Sequence, residues 1–184
     1  MNIDTPLREL GSVDVEPLRE TILAQEDAAW HEDQYRQEAF DVHHKTESIV
    51  MLFVDLEHWP ELVVSQEPGW VRLSNVALPL MNDIITRCYE PGGTVIRAMA
   101  AKLLAGANIL PHVDKHPSFG HGHRIHIPIT TNPRVRFMVD GRPYKFRVGE
   151  AYEINNQKTH SVMNKGGDDR ITFIFDYVPR GQVA

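Results

Sequence analysis

The chain has 184 residues, 42% of them hydrophobic and 24% charged, with a formal net charge of −6. That length and composition fit one globular domain with a buried core and argue against disorder. The negative balance, with no run of Lys or Arg, excludes a partner read through nucleic-acid phosphates.

In chain order, the opening segment MNIDTPLRELGSVDVEPLRE carries acids and lacks an apolar centre, so it does not read as a signal peptide. No stretch approaches bilayer length, so no membrane partner is expected and the cytoplasm is the expected location. Asp14-Val15-Glu16-Pro17 has the character of a helix start, with Asp14 or an adjacent residue as cap; Leu18, Ile22 and Leu23 follow at helical spacing. Ser48 to Val54 is a short β-rich apolar run, preceded by His43 and His44, which are either structural or placed at a pocket mouth. Ser74 to Tyr89 has helical periodicity, broken or bent at Pro79, and stops at Pro91-Gly92-Gly93. The lone cysteine, Cys88, permits no internal disulfide. Residues 1–93 thus read as a mixed α/β support region.

From Thr94 onward, short strands alternate with turn residues. Strands are expected near 95–104, 108–114, 124–131, 134–140, 144–148, 150–154, 160–164 and 170–178. Turn signals at Gly106, Asn132-Pro133, Asp140-Gly141, Gly149 and Gly166-Gly167 separate many of them. Eight short strands at this spacing predict a mainly β architecture, a jelly roll or small barrel, over residues 94–178. No linker divides the chain, so 1–184 reads as a single domain.

Within this half, His112-Val113-Asp114 carries the chemistry. On a strand, residues i and i+2 share a face, so both side chains can reach one ion. With His160 they offer two nitrogens and a carboxylate on one side of a metal, which suits non-haem Fe(II) and leaves positions for substrate-side ligands and O2. Arg170, ten residues beyond His160 in the sequence, can grip a co-substrate carboxylate in a bidentate, charge-assisted contact. Arg124-Ile125-His126 and Arg170-Ile171-Thr172 both alternate polar with apolar residues. A half-wet sheet puts such arginines in solvent. A barrel with a polar interior needs the same pattern, with the apolar row packed outward against helices. His116, His121 and His123 fall in or beside the Pro-Ser-Phe-Gly loop and read as residues around the site. Trp30, Trp59 and Trp70 read as packing residues. With no cysteine near this cluster, structural zinc is disfavoured.

The segments LLAGANILPHVDKHPSFGHGHRIHIPI and GEAYEINNQKTHSVMNKGGDDRITFIFDYV resemble the aspartyl/asparaginyl β-hydroxylase family of Fe(II)/2-oxoglutarate-dependent oxygenases, which also includes bacterial proline hydroxylases. The resemblance implies a double-stranded β-helix, a cupin-like jelly roll, with flanking N-terminal helices. It implies Fe(II), 2-oxoglutarate and O2 as cofactor and co-substrates, with release of succinate and CO2. By it, His112 and His160 are the iron ligands, and Arg170 partners the distal carboxylate of 2-oxoglutarate. Arg124 and His126 match the family's Arg-x-His, which helps position the co-substrate at its other end. Asp114 follows the His-x-Asp pattern of the proline hydroxylases and completes the metal triad.

Two departures stand out. Peptidyl members carry a hydroxyl residue on the first core strand where Ala101 stands here, so Thr172 or water is expected to supply that contact. The loop between His112 and Arg124 is also longer. The expected substrate is an amino acid, an amino-acid-derived small molecule or a peptidyl Asp/Asn-type side chain. Two alternatives remain at this point: a cupin-type metalloenzyme that does not use 2-oxoglutarate, and a non-enzymatic module that binds a dicarboxylate or metal.

Overall fold

The strands β6 (His123–Pro128), β9 (Glu150–Ile154) and β11 (Arg170–Val178) of the C-terminal half are buried over most of their length, on both faces. In the computed structural model, which describes residues 3–33 and 45–182, the strands form two antiparallel sheets. They are β1 (Leu7–Ser12), β2 (Thr46–Val54), β3 (Val64–Gln66), β4 (Thr94–Leu103), β5 (Asn108–His112), β6 (His123–Pro128), β7 (Val135–Val139), β8 (Arg142–Tyr144), β9 (Glu150–Ile154), β10 (His160–Asn164) and β11 (Arg170–Val178). The larger sheet runs β1-β9-β6-β11-β4-β2-β3 and the smaller β5-β10-β7-β8. Strands β4 to β11 thus alternate between the two sheets, with only the β7-β8 hairpin staying in one of them, the expected double-stranded β-helix. The N-terminal strands extend the larger sheet at its edges. His43 and His44 lie outside the described residues.

Two helices cover the outer face of the larger sheet: α1 (Glu16–Leu23) and α2 (Gly69–Cys88). Leu73, Ala77, Leu80, Met81 and Ile84 of α2 make one apolar stripe. It packs with Leu18 and Ile22 of α1 against Ile125, Ile127, Ile171, Phe173 and Phe175 of the sheet. The apolar rows of β6 and β11 therefore face the helices, and the alternating Arg and His residues face the barrel interior. Solvated arginines are ruled out, since Arg170 is only 5% exposed.

Several local features differ from expectation. Helix α2 begins at Gly69 and continues through Pro79. Proline cannot donate to the carbonyl four residues back, here Asn75, but both residues are exposed, so water can satisfy that carbonyl. The strand expected at 144–148 is instead Arg142–Tyr144. Asp140 (φ 52) and Gly141 (φ 73) both have positive φ, and Val139 pairs with Arg142 across them. That is the two-residue hairpin that Asp-Gly favours, and it starts the return strand at once. Strands β1 and β3 are not among those expected; β1 pairs along β9 and β3 along β2. At the start of α1 the N-cap position is Val15, and Asp14 lies one residue earlier, where its Oδ1 accepts from the Glu16 amide at 3.3 Å.

Candidate metal centre

His112 and His160 lie directly opposite each other on neighbouring antiparallel strands β5 and β10, with ring centroids 4.3 Å apart. Each imidazole is oriented by a backbone carbonyl. His112 Nδ1 is 2.8 Å from the Leu110 oxygen, and His160 Nδ1 is 3.0 Å from the Lys158 oxygen. A carbonyl only accepts, so each Nδ1 carries the proton and each Nε2 keeps its lone pair for a metal. The Asp114 Oδ1 atom lies 3.8 Å from His112 Nε2 and 3.9 Å from His160 Nε2. One ligand atom from each of the three lies within 4.8 Å of the others. Burial holds His160 below its ordinary pKa, outweighing the opposing pull of Asp114, so the ring is neutral and ready to ligate.

The other oxygen of Asp114 is occupied. Its Oδ2 accepts from Asn156 Nδ2 at 3.2 Å and pairs with Arg124 Nη1 at 3.1 Å. Arg124 in turn donates from Nε and Nη2 to the two oxygens of Asp176, at 2.9 and 2.8 Å. Asp176 also accepts from Arg97 Nη1 at 3.0 Å. These contacts follow from register: Asp176 on β11 stands opposite Arg124 on β6 and opposite Arg97 on β4. The result is a row of alternating charge, Arg97, Asp176, Arg124, Asp114, leading to the metal ligands. Burial raises the Asp176 pKa, but the two guanidiniums outweigh it and keep the carboxyl below its ordinary value, hence ionised. The Phe119 ring covers the row, 4.2 Å from Arg97 and 4.6 Å from Arg124.

A cavity beside the trio is lined by His112, Asp114, Arg124, His126, His160 and Arg170 among others. Arg170 has no carboxylate partner among the described residues, and its buried Nη2 makes no hydrogen bond. Burial alone pushes this guanidinium down to about 10, so it remains a cation at neutral pH. His126 is 5% exposed, and neither ring nitrogen has a hydrogen-bond partner among the described residues. Burial, with Arg124 and Arg170 nearby, holds its pKa well below the ordinary value and keeps it neutral. Thr172 shares the inward face of β11 with Arg170 but is not one of the cavity-lining residues, and its buried Oγ1 has no hydrogen-bond partner among the described residues. Buried polar atoms are normally satisfied, so this group has the donor set to receive an anionic, multiply accepting ligand.

Of the seven residues put forward as metal ligands or co-substrate contacts, six lie on strands β5, β6, β10 and β11; Asp114 falls two residues beyond β5, which ends at His112 and not at 114 as expected. Arg124 differs from the others in setting, because its guanidinium is shared between two carboxylates. Arg97, Asp176 and Asn156 were not singled out. Asp176 was within reach of the alternation argument, standing six residues after Arg170 on the same face. Asn156, in the turn before β10, carries no such signal. His116 bonds to the Ser118 hydroxyl at 2.8 Å and His123 to the buried Glu153 carboxylate, on residues outside the cavity lining. A second possible metal trio, Asp27, His31 and Glu47, is largely exposed, and Lys102 Nζ already holds Glu47 at 2.7 Å.

The sequence profile of a family described as aspartyl/asparaginyl beta-hydroxylase matches residues 18–179. No curated protein matches the chain in sequence. A 2OG-Fe(II) oxygenase-family oxidoreductase from Burkholderia pseudomallei aligns with TM-score 0.55 and 15% identity, covering 74% of this chain and 69% of that one. The non-haem monooxygenase ThoJ, as a nickel complex, aligns with TM-score 0.58 and 14% identity, covering 95% and 74%. The viral collagen prolyl hydroxylase of Paramecium bursaria Chlorella virus-1, in its 2OG complex, aligns with TM-score 0.55 and 8% identity, covering 96% and 97%. At these identities the structural likeness shows a shared fold.

Proposed function

Since the chain belongs to the aspartyl/asparaginyl β-hydroxylase family, we propose that it hydroxylates a free amino acid or an amino-acid-derived small molecule at the His112, Asp114 and His160 site. As a member of that family the chain is an Fe(II)- and 2-oxoglutarate-dependent oxygenase, coupling hydroxylation to release of succinate and CO2. The single observation that carries the reading is Arg170, a buried cation with no carboxylate partner among the described residues, in the cavity that the metal trio lines.

The residues present fit the cofactor and co-substrate. His112, Asp114 and His160 would hold Fe(II) through two neutral imidazoles and one carboxylate oxygen, leaving the cavity side open. Bound there with 2-oxoglutarate and O2, the iron supplies the oxidising power for decarboxylation and C–H hydroxylation. Arg170 would pair with the distal carboxylate of 2-oxoglutarate. Its burial strengthens that contact, since water cannot compete for the ion pair. Neutral His126 would donate one ring N–H to the co-substrate, and Thr172 would donate its hydroxyl. The apolar wall near Arg170, including Phe137 and Val162, keeps water from the co-substrate chain.

A small-molecule substrate is favoured over a peptide by His112-x-Asp114, the pattern of the proline hydroxylases that the sequence resembles. The test is succinate release with Fe(II) and 2-oxoglutarate across free amino acids, their derivatives and short Asp- or Asn-containing peptides. Stimulation by a free amino acid or derivative supports the proposal; stimulation by peptides alone rejects its small-molecule part. Metal binding without any 2-oxoglutarate turnover would replace it with a cupin-type metalloenzyme.

A further inference from the structure

We propose that Asp176, together with Arg124, is a positioning device that holds Asp114 as a one-oxygen metal ligand. The inference rests on the reading of His112, Asp114 and His160 as the metal site. Asp176 is 2% exposed and sits centrally in the interior of the larger sheet. Its two oxygens accept from Nε and Nη2 of Arg124, the fork-on-fork contact that fixes the plane of a guanidinium. With that edge fixed, the remaining nitrogen, Nη1, meets Asp114 Oδ2, and Asn156 Nδ2 meets the same oxygen. Rotation of the Asp114 carboxylate would break both contacts. Its Oδ1 is the oxygen presented to the two histidine Nε2 atoms.

Charge supports the same conclusion. An arginine paired only with Asp114 would compete with a divalent ion for that carboxylate. Asp176 shares the guanidinium and leaves Asp114 Oδ1 available to the metal. Arg97 offsets the second carboxylate, so the row of two guanidiniums and two carboxylates is neutral before metal enters. Arg124 on this account braces the site, and the grip on the co-substrate's anionic charge falls to Arg170.

The test is calorimetric titration of Co(II), a redox-stable probe, into the apo forms of the parent, Asp176→Asn, Asp114→Ala and the double variant. Groups that orient metal ligands typically change affinity by about ten- to a hundredfold, which is the loss expected for Asp176→Asn. In the Asp114→Ala background the same substitution should have no further effect, because its route to the metal is gone. An undiminished affinity in Asp176→Asn, or an equal loss in both backgrounds, would overturn the proposal. If Asp176→Asn does not fold, Asp176→Glu, which keeps the charge and displaces the fork by one methylene, goes through the same cycle with the same criteria. A parent that binds Co(II) no better than His160→Ala would reject the metal-site reading itself, and the positioning role with it.

Discussion

Replacing Arg170 with methionine should make the apo protein more stable while removing its hold on 2-oxoglutarate. Burial pushes this guanidinium down to about 10, with no opposing carboxylate among the described residues. At about 1.4 kcal/mol for each tenfold in proton affinity, the unpaired cation costs the folded protein about 3 kcal/mol. Methionine fills similar space without charge. The guanidinium's attraction to the Phe137 ring, 5.6 Å away, disappears in the variant and offsets about 1 kcal/mol of the gain. A net gain of about 2 kcal/mol corresponds to a rise of roughly 4–8 °C in Tm for a domain of this size. Ligand binding should move the other way. Leaving a buried carboxylate unpaired costs about 3–5 kcal/mol, or roughly two to four decades in 2-oxoglutarate affinity. Thermal melts of the metal-free protein, repeated with metal and 2-oxoglutarate, read both effects. The parent should melt lower and gain stability on loading, and the variant should melt higher and gain little. A variant that melts below the parent yet retains full stabilisation by 2-oxoglutarate would refute the reasoning.

Acid should weaken the apo fold through His126. Its folded pKa lies below its ordinary value, so the unfolded chain binds the extra proton first and stability falls as pH drops through about 6.5. The slope expected from this group is about 1.4 kcal/mol per pH unit, and His126→Gln should remove it in urea melts run with chelator between about pH 7 and 5.5. Equal slopes in parent and variant would contradict the assignment. Pro79→Ala should stabilise α2 by about 2 kcal/mol, read as a higher urea midpoint, because it restores a backbone donor on an exposed helix face. Gly69→Ala should lower the midpoint, because the new methyl would meet the Val50 carbonyl and come within 2.8 Å of the Ile49 side chain.

Much of the site was legible because strand alternation and metal chemistry are local in sequence. His112 and Asp114 are two residues apart, and parity alone places Arg124 with His126 and Arg170 with Thr172. The direction in which those faces point needed the helices: α1 and α2 claim the isoleucine and phenylalanine rows, so the charged rows turn inward. The setting of Arg124 depends on β6-β11-β4 register, which brings Arg97, Asp176 and Arg124 into line from positions far apart in the chain. No motif spacing carries that information. The passage of α2 through Pro79 was hidden for a related reason, since the proline's cost depends on whether Asn75 faces water.

A metal held by His112, Asp114 and His160 would share its cavity with 2-oxoglutarate held by Arg170. Anaerobic difference absorption tests it most directly, with Fe(II) added to the apo protein first and 2-oxoglutarate second. A visible charge-transfer band should appear only when both are present, be absent in His160→Ala and demand far more 2-oxoglutarate in Arg170→Met. A parent protein that binds Fe(II) tightly yet shows no band at saturating 2-oxoglutarate would contradict it.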